Sequence, residues 1–401
     1  AMTALDRRTF LAGSALLAGA ALTPPAAARA PSATAQGSGV YRYNLGRYQL
    51  TALYDGVWYV PIDEKFVRNA SSAEVNDALA AAFLPPKILP ISFTALLVNT
   101  GAKLVLIDTG TAGQIADTAG SLLDNFKGAG IDPKAVDTIL ISHFHPDHID
   151  GIKTKDGAKI FPNAEIAVPE PEWDFWMNDA NMSKAEGAVK RYFLNARPIF
   201  KDIARDVRRF EPGNEVAPGI VSVAAYGHTP GHTAFAIHSG NQSMLAMSDT
   251  VRNPYLFARH PDWQPAFDMD GPQAVETRRR MLDRVAADRM LIEAYHFPFP
   301  ACGHIAKTAS GYEFVPTEWK PLLDDAIWSR GPNYTVMLGQ TVDVYPYFMT
   351  TAGRVYRFIP TFHSIALGND RIVWAYFPPT YLENTRATFP VVYMHDGQNL
   401  F

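Results

Sequence analysis

His143-Phe144-His145-Pro146-Asp147-His148 places three imidazoles and a carboxylate in six consecutive positions of a chain with 11 histidines among 401 residues. The motif follows an apolar run, Ala135-Val136-Asp137-Thr138-Ile139-Leu140-Ile141, that reads as a buried strand. On an extended backbone residues two apart share a face, so His143 and His145 point the same way. Pro146 then forces a turn, and Asp147 and His148 aim at a second point close by. Imidazoles and a carboxylate at this density, directly after a strand, form a metal-binding pattern.

So short a motif cannot fill two coordination spheres, and further ligands are expected downstream. Tyr226-Gly227-His228-Thr229-Pro230-Gly231-His232-Thr233 offers two histidines in a Gly/Pro turn. Ser248-Asp249-Thr250 closes the strand Met244–Met247, and Tyr295-His296-Phe297-Pro298 closes the strand Arg289–Ala294. Each is a His or Asp at a strand end, where loops carry chemistry on a rigid scaffold. His304, in Ala301-Cys302-Gly303-His304, competes with His296 on sequence alone.

Taken together, H-x-H-x-D-H, T-P-G-H-T, S-D-T and Y-H-x-P-F-P resemble the metallo-β-lactamase superfamily of hydrolases. Within it the chain is most similar to methyl parathion hydrolase and its lactonase and arylesterase relatives, over roughly residues 41–319. The resemblance includes the strand end Leu106-Ile107-Asp108-Thr109-Gly110 and the segment His260-Pro261-Asp262-Trp263. It implies an α/β fold, the αββα sandwich. It also implies His143, His145 and His232 on one metal, Asp147, His148 and His296 on the other, and Asp249 bridging them. On that reading His228 orients the turn, and Asp108 fixes a ligand imidazole through its outer N–H. His238, His260, His363 and His395 serve as packing or surface groups or as supports to the ligands.

Histidine and aspartate ligands without thiolate suit two divalent ions, zinc first, with manganese, cobalt or iron as alternatives. Ions about 3.5–4 Å apart can share a hydroxide whose parent water has a pKa lowered to roughly 7, which implies hydrolysis of esters, lactones or aryl phosphotriesters. Asp249 and Asp147 are then the catalytic carboxylates, Asp249 bridging and Asp147 orienting the hydroxide. In relatives, aromatic side chains of the region around residues 171–193 wall the substrate pocket, which assigns Trp173, Trp176 and Phe193 either to that wall or to packing of the inserted helices. Three other readings stay open. One is a mononuclear iron oxygenase resembling persulfide dioxygenases, the second a β-lactamase, the third a binding protein with a vestigial centre.

Residues 1–35 read as an export signal. Asp6-Arg7-Arg8-Thr9-Phe10-Leu11 resembles a twin-arginine motif, followed by apolar Phe10–Leu22, too short for the ~20 residues of a membrane span. This implies the twin-arginine export machinery as a partner and a periplasmic or secreted enzyme. The formal net charge of −4 and the absence of a basic block exclude nucleic acid as an expected partner. Arg278-Arg279-Arg280 is expected on the solvated face of a helix. A single cysteine, Cys302, excludes an intramolecular disulfide framework. A small-molecule substrate and a homodimer complete the expected partners.

Outward from the motif, Tyr41, Tyr43 and Leu45 alternate as a strand and Leu50–Tyr54 continues it. Ser71-Ser72-Ala73-Glu74 is a capping box for a helix through Ala82. Phe93–Val98 and Lys103–Ile107 form a hairpin around Asn99–Ala102, and Leu122, Leu123 and Phe126 mark an amphipathic helix. Residues 184–210 read as helix interrupted near Pro198, and Pro272–Ala287 as a helix with proline at its start. Residues 330–401 read as an incomplete β-rich extension. Strands at Arg371–Phe377 and Phe389–Met394 there resemble the opening of a putative-esterase α/β-hydrolase domain, expected to be truncated because no G-x-S-x-G elbow occurs in the chain.

Overall fold

Alternating burial in Val40–Leu45 (β1) turns Tyr41, Tyr43 and Leu45 inward, the pattern of a strand with one face on a core. The structure, a computed structural model, describes residues 36–320 continuously, residues 33, 34 and 323, and the backbone of six strands between 333 and 377. The expected export signal lies outside the described residues apart from 33 and 34, as does everything from residue 378 onward, including the strand expected at Phe389–Met394.

Two seven-stranded sheets carry the fold, each in sequential order. The first runs from β1 through Tyr48–Pro61 (β2), Ile88–Asn99 (β3), Leu104–Ile107 (β4), Thr138–Leu140 (β5) and Glu165–Pro169 (β6) to Arg208–Phe210 (β7). It is antiparallel up to β4 and parallel from β4 to β7. The second comprises Glu215–Ala217 (β8), Ile220–Ala224 (β9), Thr233–Ser239 (β10), Gln242–Ala246 (β11), Leu291–Glu293 (β12), Cys302–Lys307 (β13) and Tyr312–Pro316 (β14). Only β11 and β12 run parallel in it. Leu50, Leu96, Val98, Ile107 and Leu140 of one sheet pack with Phe235, Ile237, Met244 and Ala246 of the other in a shared inner core. Burying one such side chain stabilises by about 1.5–3 kcal/mol.

Helices cover the outer faces. They are Ser72–Ala81 (α1), Leu122–Gly128 (α2), the single turn Pro146–Ile149 (α3), Glu170–Trp176 (α4), Asp179–Lys184 (α5), Gly187–Lys201 (α6) and Gly271–Ala287 (α7). The result is the expected αββα layering. The capping box is present at α1, where the Ser71 side chain accepts from the Glu74 amide and Glu74 accepts from the Ser71 amide. No helix of the described residues is long and apolar enough to cross a membrane.

Several local expectations are corrected. α6 runs through Pro198 without interruption, because the carbonyl that loses its amide partner belongs to Leu194, on the exposed side of the helix. Residues 208–210 are strand, not helix. Arg278 is not solvated: it is buried and donates to the carbonyls of Thr250, Pro261 and Trp263 and to Asp268, while Arg279 and Arg280 are exposed. Arg371–Phe377 divides between Asn369–Arg371 (β19) and Trp374–Phe377 (β20). These belong with Asn333–Val336 (β15), Gln340–Thr350 (β16), Gly353–Ile359 (β17) and Phe362–Ser364 (β18), whose described pairings are all antiparallel.

Glu293, at the end of β12, is buried and its Oε1 has no hydrogen-bond partner. Burial, reinforced by the Asp108 carboxylate, pushes its carboxyl well above the ordinary range. The folded state therefore keeps a proton that the unfolded chain releases, so stability falls as pH rises above the ordinary glutamate value, by about 1.4 kcal/mol per pH unit. Glu293→Gln is expected to flatten that slope above the ordinary glutamate value, read by urea unfolding of metal-stripped protein across pH.

Candidate metal centre

The carboxyl ends of β4, β5, β11 and β12 and the loop between β9 and β10 converge at one edge of the sandwich. Asp108 follows β4 and Ser248 follows β11, both with positive φ (58° and 45°). For residues other than glycine that conformation is strained and is held only by its surroundings. Here Ser142 provides the hold: its amide and hydroxyl donate to Asp108, and its Oγ accepts from the Ser248 hydroxyl at 2.8 Å. Pro146, with its fixed φ, opens the single turn α3, which carries Asp147 and His148 back toward His143.

Two groups of donors result: His143, His145, His228 and Asp249 in one, Asp147, His148 and His296 in the other. In the first, His145 Nδ1 lies 3.0 Å from His143 Nε2 and 2.9 Å from His228 Nε2. In the second, His148 Nε2 and His296 Nε2 each lie 3.4 Å from Asp147 Oδ2. Asp249 joins the two. Its Oδ2 is 3.2 Å from His228 Nε2 and 3.0 Å from His296 Nε2, and its Oδ1 is 3.1 Å from His148 Nε2.

The outward nitrogens decide what faces inward. His148 Nδ1 donates to Asp108 Oδ2 at 2.8 Å, His228 Nδ1 to Asp268 Oδ1 at 2.9 Å, and His296 Nδ1 to the Ser92 carbonyl at 2.8 Å. Carboxylate and carbonyl oxygens only accept, so each ring carries a proton on Nδ1 and Nε2 is the nitrogen left to face the cluster and take a cation. His145 Nε2, His148 Nε2 and Asp249 Oδ1 are buried with no hydrogen-bond partner. Lone pairs crowded at such distances repel unless a cation takes them up, and imidazole with carboxylate is a donor set for divalent ions. The cluster fits a dinuclear metal site.

Burial penalises charge on Asp249, but His296, His148 and Arg252 outweigh it and hold its carboxyl well below the usual range. Burial and the neighbouring His148 keep His143 well below the ordinary imidazole value, and burial and His228 do the same for His145. His148 goes the other way: burial opposes its charge, yet Asp249, Asp147 and Asp108 raise it well above normal.

His232, expected as a ligand, stands outside both groups, with its ring centroid 5.0 Å from that of His143. It directly precedes β10, and its ring is spent on the backbone, Nδ1 donating to the Ala225 carbonyl at 2.9 Å and Nε2 accepting the Asp249 amide at 3.1 Å. Burial and His228 push it down to about 3, so it stays neutral. His228, at the apex of the same loop, reaches the cluster instead. His304 is exposed and bonds the Met290 carbonyl, away from it.

Trp173, Trp176 and Phe193 are buried in the inserted helices rather than open to a ligand. Phe193 packs on Trp176 at 4.6 Å between ring centroids, and Trp173 packs on Phe200 at 5.6 Å. Phe193, Ala196 and Phe200 form the buried stripe of α6 at helical spacing, so packing accounts for Phe193. Tyr192, from the same region, meets the centre with its ring 4.4 Å from His145, and Trp176 lies edge-on to that imidazole at 6.4 Å.

Glu172 was not anticipated. Fully buried in α4, it accepts from the Phe144 amide, the Trp176 indole, the Thr229 hydroxyl and the Gly231 amide at 2.6–3.0 Å. One carboxylate thereby fastens the loop between His143 and His145 to the loop that carries His228. Gly231 makes this possible: a Cβ there would lie 2.1 Å from the Glu172 amide nitrogen.

An αββα sandwich with this cluster across its strand ends is a metallohydrolase architecture, and the match of residues 92–292, half the chain, to the metallo-β-lactamase superfamily places the chain in that family. Among curated relatives, an N-acyl homoserine lactonase (AiiA) of Bacillus thuringiensis subsp. kurstaki is 23% identical over 255 residues, 59% of this chain and 90% of that protein. Among solved structures, the hydrolase AbOPH of the β-lactamase superfamily superposes with a TM-score of 0.66 at 30% identity, over 71% of this chain and 100% of its own. AidC, a dizinc quorum-quenching lactonase solved with a product, gives 0.66 at 29% identity, over 71% and 99%.

Two outcomes follow from this geometry. His228→Ala is expected to lose about one of two cations per chain while His232→Ala keeps both, measured by elemental analysis of purified protein. Glu172→Gln sets an N–H donor against donors, and should cost about 3 kcal/mol of stability and weaken metal retention 10–100-fold in chelator competition.

Proposed function

We propose that this protein is a dinuclear metal-dependent hydrolase that opens lactones, with zinc as its metal. The observation that carries the reading is Asp249, a single carboxylate within 3.2 Å of imidazole nitrogens from both donor groups. His143, His145 and His228 would hold one cation, Asp147, His148 and His296 the other, with Asp249 common to both. When bound, such a pair supplies Lewis acidity and lowers the pKa of a water. The chain's own groups do the rest. Asp147 is a carboxylate at neutral pH, because the attraction of His148 and His296 outweighs its burial, and it can accept and orient a water proton. Tyr192, beside His145, is placed to meet a bound acyl group. The lactonase relatives support lactones as the substrate class. Esters and aryl phosphotriesters are secondary substrates on this reading.

A single-iron oxygenase is the weaker reading, since it gives no use to Asp147, His148 and His296, which gather as a complete second donor set. The arginine pair Arg7-Arg8 supports export to the periplasm or beyond.

Purified protein carrying two zinc ions per chain should hydrolyse N-hexanoyl-homoserine lactone or dihydrocoumarin with kcat/KM of roughly 10⁴ M⁻¹s⁻¹ or more, lose activity to a chelator and regain it with zinc. An aryl acetate and paraoxon should turn over more slowly. Absence of lactone turnover in the fully loaded protein would refute the assignment.

A further inference from the structure

Arg252 is a cation buried at the centre itself, only 6% exposed. Among the described residues its one hydrogen bond runs from Nη1 to Asp249 Oδ2 at 3.1 Å, and Asp249 is the only carboxylate within ion-pair distance of it. That carboxylate is already shared by His228, His148 and His296. None of the other donors of Arg252 is among the buried polar atoms without a partner, so they are open and left for a ligand. Phe267 lies against it with the ring centroid 4.2 Å from Cζ, which fixes its plane and leaves the edge free. Trp58, half-buried, meets Phe267 edge-on at 6.4 Å and extends the apolar wall. Asp268, the next acid, is taken by His228 and Arg278.

We propose that Arg252 is a specificity residue that binds the acyl oxygen of the substrate and then the carboxylate of the product, with Phe267 and Trp58 taking the adjoining hydrocarbon. The inference rests on the lactone-hydrolase reading. In that reaction water adds its oxygen to the carbonyl carbon and the ring C–O bond breaks. The departing oxygen takes one proton, and the new carboxylic acid releases the other to solvent. A neutral substrate thus becomes an anion beside a guanidinium whose planar fork matches a carboxylate.

Hexanoate is the probe, titrated calorimetrically into the full-length, zinc-loaded protein. Arg252→Gln should keep two zinc ions, weaken hexanoate binding at least tenfold and lower kcat/KM on the lactone by about a hundredfold, the effect of removing one oxyanion donor. Hexanoate affinity and kcat/KM both within twofold of the unmutated protein would overturn the assignment, with lactone hydrolysis itself untouched. If the unmutated protein opens no lactone yet binds hexanoate and loses that binding in Arg252→Gln, the arginine's role stands and the hydrolase reading falls. Should Arg252→Gln fold poorly, nitrogen NMR of the unmutated protein decides. Hexanoate should shift one arginine Nε–H signal that is absent from Arg252→Lys, and no such shift overturns the proposal.

Discussion

Three imidazoles of the centre keep Nε2 turned inward because an oxygen that can only accept holds the opposite nitrogen. Asp108 does this for His148, Asp268 for His228 and the Ser92 carbonyl for His296. Without those outward bonds each ring could flip or change tautomer, and the inward nitrogens would exchange lone pairs for protons. The holders are themselves held. Asp108 is pinned by Ser142, and Asp268 is paired with Arg278, which also ties together the carbonyls of Thr250, Pro261 and Trp263. Glu172 adds the connection between loops. The centre is thus rigid through a buried polar network in which nearly every group has a fixed partner, and networks of that kind specify one arrangement of their members.

Much of this was legible in the sequence, and the exceptions are instructive. Strand alternation at Tyr41–Leu45, the capping box at Ser71–Glu74 and the hairpin at Asn99 each depend on neighbours within a few residues, and each is present. The H-x-H-x-D-H motif was readable for the same reason: its geometry is that of one strand end and one turn. His228 and His232 could not be separated in this way. Both lie in a Gly-His-Thr triplet four positions apart, and what distinguishes them is tertiary, the backbone of Ala225 and Asp249 occupying one ring and Asp268 orienting the other.

Arg278 and Glu172 were missed for a related reason. A charged residue in an amphipathic helix is read as solvated unless a buried partner is known, and their partners lie at positions such as Asp268, Thr229 and Gly231, in other elements. Trp173, Trp176 and Phe193 were left between a pocket wall and helix packing for the converse reason. Large aromatics near a site attract a binding role, while the helical spacing of Phe193, Ala196 and Phe200 marks a packing stripe and leaves Tyr192, one residue off it, facing His145.

The donors divide between the two sheets: His143, His145, Asp147 and His148 follow β5, whereas His228, Asp249 and His296 belong to the loops of β9 to β12. Each half alone offers an incomplete cage. Any ion seated between them is common property, so the slackening of the seam and the escape of the ion become one event. A chain built in this way carries its own clasp, and the grip of that clasp reports how well its two layers are joined.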